Sequence, residues 1–514
     1  MKYIKKNIYL LLLPLLAIVS CDDGFEGVNS NPNEPEEVDA GVLMTGATRA
    51  SMSSMVNHSY LYANNIAQLT AKTLRSEVDR YDFQSFPTLW LQQYDALRDF
   101  KDAELISEGN ENYATQAASI IMQTNVFYTL TMAYGDIPYT EATQGIIGDN
   151  FNPAYDSMAN IFTGEDNLLQ RLQGANSLLD QAINNGQTVD GDVIFDGSPQ
   201  NWQKLSNVLQ LRILLHLSNK QDVSTQMSNL LSNGSLFDSN ADNALFNYLG
   251  SFPNDYPTFR LKQGDFTAVV LSNQPLAAFE KYDDPRLGRY ARPNNTIELE
   301  TFDSQNATYS GAENGDERGS CDKGGSLLGS RYYNYPDHPV GDTEANGIIT
   351  TYSEQELIIA EAIASPKITL NGFGSAADHY KEGIKASMDY YDVDYGSFGY
   401  TSFDDFYSNS GIAHGGSPSL VNIQEQKWLA TFFHGMEPYF DTRRMVYQEN
   451  NGTKPFLANS VDFLVAPCEN QNDGEMPTKF LYPGNEISLN SDNYQNTVEK
   501  IGGNTQNGVI WIME

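Results

Sequence analysis

Residues 168–185 read Leu168-Leu169-Gln170-Arg171-Leu172-Gln173-Gly174-Ala175-Asn176-Ser177-Leu178-Leu179-Asp180-Gln181-Ala182-Ile183-Asn184-Asn185. Leu168, Leu172, Ala175, Leu179 and Ala182 follow one another at steps of four, three, four and three, which places them on one face of a helix. A helix with one apolar face lays that face on a neighbour. The flanking sequence supplies the neighbours. Tyr113, Ala117, Ile120, Thr124 and Tyr128 form a similar stripe, and the pairs Trp90/Tyr94 and Leu205/Leu209 keep the same spacing. The periodicity predicts helices near 43–75, 87–108, 113–134, 155–184, 200–219, 223–232, 352–364, 374–392 and 419–435. The fold class is therefore mainly α. Ala and Tyr on inner faces suggest antiparallel helix pairs of tetratricopeptide-like packing, although no clean repeat of about 34 residues is visible.

Residues 236–350 break this pattern. They are rich in Gly, Asn, Asp, Pro and Tyr, with turn signals such as Asn294-Asn295 and Gly324-Gly325. The stretch 450–514 is similar. Long irregular segments over a rigid scaffold commonly carry function, so the expected layout is a helical scaffold with a loop-rich excursion that holds the ligand site.

The front of the chain has its own logic. Met1-Lys2-Tyr3-Ile4-Lys5-Lys6 is basic, Ile8 to Val19 is almost wholly apolar, and Ser20-Cys21 follows. A charged start, a short apolar run and small residues at the cut define a secretory signal. The run is shorter than the roughly 20 residues a membrane span needs. Leu16-Ala17-Ile18-Val19-Ser20-Cys21 reads as a bacterial lipobox, in which Cys21 becomes the first residue and carries acyl chains. Several chains anchor firmly where one is marginal. The expected organisation is a signal peptide at 1–20, an acylated tether at 21–40 containing Asp22-Asp23 and a polar Pro-rich run, and one binding domain at 41–514 with its excursion at 236–350.

Composition excludes several classes. The whole chain has a formal charge of −35, and loss of residues 1–20 removes three lysines and no acid, giving −38. Nucleic acid is a poor partner for such a chain, because binding it requires clustered Lys and Arg. Aromatics at 11 % argue against disorder. Beyond Cys21 only Cys321 and Cys468 remain; they can pair in an exported protein, but the sequence leaves this open. The six histidines show no metal spacing and no G-x-S-x-G turn is present. No metal or cofactor is expected. Asp190, Asp192 and Asp196 miss the EF-hand pattern. These absences weigh only mildly against an enzyme.

The motifs then converge on a family. Tyr134-Gly135-Asp136-Ile137-Pro138-Tyr139, Asn201-Trp202-Gln203-Lys204 with Leu209-Gln210-Leu211-Arg212, Asp284-Pro285-Arg286-Leu287, Thr351-Tyr352-Ser353-Glu354 with Ala360-Glu361-Ala362, Gly435-Met436-Glu437-Pro438-Tyr439-Phe440-Asp441-Thr442-Arg443-Arg444 and Leu481-Tyr482-Pro483-Gly484 occur in this order. Behind a lipobox, this order resembles the SusD/RagB family of surface nutrient-binding lipoproteins of Bacteroidetes. The resemblance implies an outer-membrane protein facing the exterior. It would be a binder and not an enzyme, capturing oligosaccharides, or in some branches peptides, and passing them to a SusC-like TonB-dependent transporter; a surface glycosidase is the less favoured alternative.

Sugar capture sets aromatic rings against apolar sugar faces and polar side chains against hydroxyls. Two segments offer such groups, and related proteins hold ligand with loops from these general parts of the chain. The candidate ligand-binding residues are Arg75, Asp79 and Tyr81 in the first, and Tyr332, Tyr333 and Tyr335 in the second. The alternative is that these tyrosines pack the base of the loop. Trp90 is read as core through Tyr94, His216 as a satisfied core residue, and Arg443 and Arg444 with Glu437 and Asp441 as a buried ion-pair network.

Overall fold

Helices form where the stripes lie. The computed structural model describes residues 38–294, 307–316, 324–335, 345–449 and 462–514. The signal, Cys21, the tether up to residue 37 and Cys321 lie outside the described residues. The principal helices are α1 (Ala40–His58), α2 (Pro87–Gly109), α3 (Tyr113–Tyr134), α4 (Leu168–Asn185), α5 (Pro199–Leu217), α6 (Ser224–Asn233), α7 (Tyr352–Ala364), α8 (Ala376–Tyr391), α9 (Leu420–Ala430) and α10 (Glu437–Glu449). In α4 the buried residues are the predicted stripe plus Leu169. Asn167 starts it with a capping box, and Gly186 ends it in the left-handed conformation.

Helices α1 to α5 pack in the order α1–α2–α3–α4–α5. Hydrogen bonds give their directions. Ser51 bonds Gln93 while His58 bonds Thr88, so α1 and α2 are antiparallel. Gln123 meets Phe100 and Glu104 while Tyr134 stacks edgewise on Trp90, so α2 and α3 are antiparallel. Ser206 donates to the Leu172 carbonyl and Gln203 to Asp180, which sets α4 against α5 in the same sense. Trp90 is core, as expected, with its ring 4.9 Å from that of Tyr94.

Four expectations need correction. The first helix does not reach residue 75. After a π-helical turn at Ser59–Ala63 the helix stops at Ile66, and β1 (Thr70–Lys72) pairs antiparallel with Val269–Leu271. Pairing across 199 residues overrides local periodicity. The span 155–184 is broken: Tyr155–Asp156 is extended and pairs with Ile137–Pro138, Met158–Thr163 is a short helix, and α4 follows Asn167. The segment 419–435 ends at Ala430, and Phe433 and Gly435 then turn with positive φ. Helix α10 went unpredicted. It is buried on every side, so no polar face marks its phase.

A buried charge cluster ties α5, α7, α9 and α10 together. Arg212 grips Glu354 with two bonds of 2.7 and 2.8 Å and donates to the Ile349 carbonyl. Lys427 and Arg444 both meet Glu361 and Asp441. Glu437 bonds His216 at 2.9 Å and accepts from Tyr128. Arg444 thus belongs to the expected network, whereas Arg443 donates to the Thr478 carbonyl and lies over the Tyr439 ring. Burial alone would raise the Glu354 carboxyl; Arg212 outweighs it and holds it down to about 2.

The last segment closes the early helices. Phe480 N–H donates to the Ala133 carbonyl, and Gln506 bonds both Phe83 N–H and the Tyr81 carbonyl. Gly135, with φ of 90°, lets Ile510 approach; a Cβ there would stand 2.8 Å from its methyl group. Cys468 is disulfide-bonded.

Candidate binding groove

The predicted contact residues have structural partners. Tyr81 is 1 % exposed; its hydroxyl donates to the Ile66 carbonyl and accepts from Gln68. Asp79 is fully buried, bonded to Lys72 N–H and to Asn314, and burial pushes its carboxyl up to about 7. Tyr332 stacks on Phe433 at 4.4 Å and Tyr333 on Phe266 at 4.3 Å. The Tyr335 hydroxyl donates to the Leu328 carbonyl, with Arg292 4.1 Å over its ring. The faces of these rings serve the fold and the Asp79 side chain is wholly buried, so in this conformation they are not open to a ligand. Arg75 is exposed at the end of the β1 turn, in a left-handed conformation. The two sets pack with different neighbours.

Open space with sugar-binding chemistry lies elsewhere in the loop-rich part. A cavity of about 550 Å³ is lined by Glu280, Asp283, Leu287, Thr308, Tyr309 and Phe398, among others. Its position follows from the Asp284-Pro285-Arg286-Leu287 motif. The helix Asn273–Glu280 ends, Asp283 turns with φ of 48°, and Leu287–Tyr290 makes a short helix. Asp284 and Arg286 are fully buried and paired at 2.6 Å, and Arg286 reaches Gln426 on α9 and Ser387 on α8. That staple fixes the floor. Opposite, Asp394 bonds Ser397 N–H and hydroxyl, bracing the turn that presents Phe398 before Gly399.

Tyr309 and Phe398 face each other across Gly288. Both the Tyr309 hydroxyl and the Phe398 ring lie 3.5 Å from the point a Cβ of residue 288 would occupy. The Tyr309 hydroxyl is buried and has no hydrogen-bond partner, and burial pushes its pKa up. A buried donor without an acceptor carries a desolvation cost that a ligand oxygen would relieve. The rim carries the exposed carboxylates of Glu280 and Asp283, and among the described residues no basic side chain lines the cavity. Rings, an unpaired hydroxyl and carboxylate acceptors suit a polyhydroxylated ligand, and the acidic rim repels anions.

Other candidate clusters are occupied by the protein itself. Asp192 accepts from the N–H groups of Ile194, Phe195 and Gly197 and from the Trp202 indole, so it stitches the turn before α5. His216, Glu437 and Asp441 bring three donor atoms within 4.8 Å, but Arg212, Lys427 and Arg444 crowd the same carboxylates. No described helix is long and apolar enough to cross a membrane.

Comparison with known proteins now places this architecture. The profile of the SusD-like family, described as starch-binding and associating with the outer membrane, matches residues 32–483. The chain belongs to the SusD-like family of outer-membrane-associated, nutrient-binding proteins. No protein of curated function matches it. Among solved structures it is similar to an outer membrane protein from Bacteroides vulgatus at 25 % identity and a TM-score of 0.74, covering 93 % of this chain and 100 % of that one. A SusD homologue from Bacteroides fragilis shares 21 % identity at a TM-score of 0.73, covering 93 % of this chain and 100 % of that one. A chitin-binding SusD homologue from Flavobacterium johnsoniae shares 17 % identity at 0.70, covering 92 % and 98 %. The family binds its ligands and is not a family of enzymes.

Tyr309 and Phe398 escaped the sequence reading because 88 residues separate them and neither stands in a predicted set. One signal was available: in Tyr395-Gly396-Ser397-Phe398-Gly399-Tyr400, rings alternate with glycine as they do where rings are displayed on a turn.

Proposed function

We propose that this chain is a lipid-anchored surface protein, acylated at Cys21, that captures neutral oligosaccharides and hands them to a SusC-like TonB-dependent transporter. The observation that carries the ligand class is the groove between Tyr309 and Phe398, with its unpartnered phenol and its acidic rim. Starch, in the family's description, and chitin, in the name of the Flavobacterium relative, are both polymers without acid groups, which agrees with that rim. Ligand oxygens would accept from Tyr309 while Glu280 and Asp283 accept from hydroxyls. Arg75, on the surface, is a second contact for longer chains. Asp79, Tyr81, Tyr332, Tyr333 and Tyr335 act from behind, holding the loops in shape.

Titration calorimetry of the mature protein with malto- and chito-oligosaccharides, and with a sulfated oligosaccharide as control, tests this. Saturable heat with a neutral glycan is expected, weakened about tenfold or more by Tyr309→Ala or Phe398→Ala, with unchanged thermal unfolding and no heat from the sulfated chain. Binding that ignores both substitutions would move the site elsewhere.

A further inference from the structure

The helix stack holds a second cavity, of about 530 Å³, between α4, α5 and α6. Its polar lining repeats one functional group. Gln173 and Asn176 come from α4, Asn207 and Gln210 from α5, and Gln226 and Asn229 from α6, each pair three residues apart. One leucine from each helix, with Asn233 and Gly234, completes it, and no charged or aromatic residue lines it among the described residues.

At the floor the carboxamides are locked together. Asn176 donates to Asn207 Oδ1 at 2.7 Å, Gln210 donates to the same oxygen at 3.2 Å, and Asn207 donates to the Ser235 carbonyl. Asn176 Oδ1 is left buried and without a partner. Apolar side chains at these places would pack the three helices without that cost. The missing partner is an N–H or O–H donor.

The lining excludes most ligands. An anion would need a cation, and a divalent metal ion would need carboxylates to offset its charge beside neutral carbonyl oxygens; neither charge lines the cavity among the described residues. A pyranose would need a ring against its apolar face, which the groove at Tyr309 has and this cavity lacks. An extended peptide backbone fits. It is uncharged, it alternates N–H and C=O, and groups on one edge recur at about 6.6 Å. Carboxamides one helical turn apart, about 5–6 Å, keep nearly that stride, and Gln173, Gln226 and Asn229, outside the locked floor, can both donate and accept. We propose that this cavity binds an extended, uncharged polypeptide segment of a second protein, with backbone N–H groups donating to Asn176 and its neighbours and aliphatic side chains meeting the leucines.

The test uses the full mature protein in detergent micelles and a pool of fluorescent random nonapeptides built from Gly, Ala, Ser, Asn, Val and Leu. The wild type is expected to retain a subset of the pool. The double substitution Asn176→Leu and Gln210→Leu should weaken that subset at least tenfold with no loss of thermal stability, and backbone N-methylation of a retained peptide should weaken it equally. Should the double variant fail to fold, Asn229→Leu, at an exposed position of α6, is expected to weaken the peptide instead. Tyr309→Ala is expected to leave peptide binding unchanged, which separates this site from the saccharide groove. The proposal is overturned if the wild type retains no peptide, if retention is indifferent to the leucine variants, or if those variants abolish binding of an oligosaccharide instead.

Discussion

Helices α1 to α5 each rest on the next in chain order, whereas the part between residues 236 and 350 is held by partners far away in sequence. Thr70 pairs with Leu271, Asn314 donates to the Thr70 carbonyl, and Leu245 faces Ile348. The two regions also solve burial differently. The stack buries Leu and Ala stripes whose backbone is satisfied by the helix itself. The loop region leaves carbonyls without a ladder, and tyrosines supply what is missing. Tyr60 donates to the Phe266 carbonyl, Tyr333 to Leu261 and Tyr335 to Leu328. A tyrosine brings a large apolar ring and one donor to the same place. The abundance of tyrosine in such a segment therefore signals irregular backbone in need of donors as much as a sugar site.

The largest effect is expected in the charge cluster, where Arg212 of the stack pairs with Glu354 and also holds the Ile349 carbonyl at the end of the loop region. Arg212→Met strands Glu354 in the interior and should cost about 3–5 kcal/mol. Urea unfolding reads it, and a single shifted transition would show that the regions fold as one, while two transitions would break the comparison by making them independent. Within the stack, Leu172→Ala removes a fully buried side chain and should cost about 3 kcal/mol by the same measurement.

Acid separates the regions by pH window. Burial lowers the His58 pKa, between α1 and α2, to about 4 from 6.5. The folded chain keeps this ring neutral while the unfolded chain binds a proton, so its contribution is full above pH 6.5 and falls as pH drops to about 4, by about 3 kcal/mol at most. The Glu354 contribution, with a folded pKa of about 2 against 4.5, is full above pH 4.5 and is lost below that, toward pH 2. Urea midpoints measured from pH 8 to 3 should therefore decline in two stages, and His58→Gln should flatten the first only. The smallest effect falls on the tyrosine donors. Tyr335→Phe keeps the ring, strands the Leu328 carbonyl, and should cost about 1 kcal/mol; no loss at all would mean that these hydroxyls are ornamental.

The same contrast decides how much could be read from sequence. The α4 stripe is legible because half the helix faces solvent, and its buried residues match the reading almost residue for residue. Helix α10 is illegible because it is buried all round, its charged residues included, and the strand at Thr70–Lys72 because its partner stands at 269–271. The candidate groove suffers in the same way. The motif Asp284-Pro285-Arg286-Leu287 is visible as letters, but the buried pair that it forms, and the floor that this pair fixes, depend on Gln426 and Ser387. Ring-rich segments were read as display where Tyr332, Tyr333 and Tyr335 turned out to be filling.

The closing contacts of Phe480, Gln506 and Ile510 on the segment between Tyr81 and Gly135 bear on the order of manufacture. A ribosome releases α2 and α3 first, yet the surface that seals them is translated more than 340 residues later. Helices α2 and α3 thus complete their burial only with the last part of the chain, so a truncation before Phe480 is expected to uncover the flank that Phe480, Gln506 and Ile510 cover.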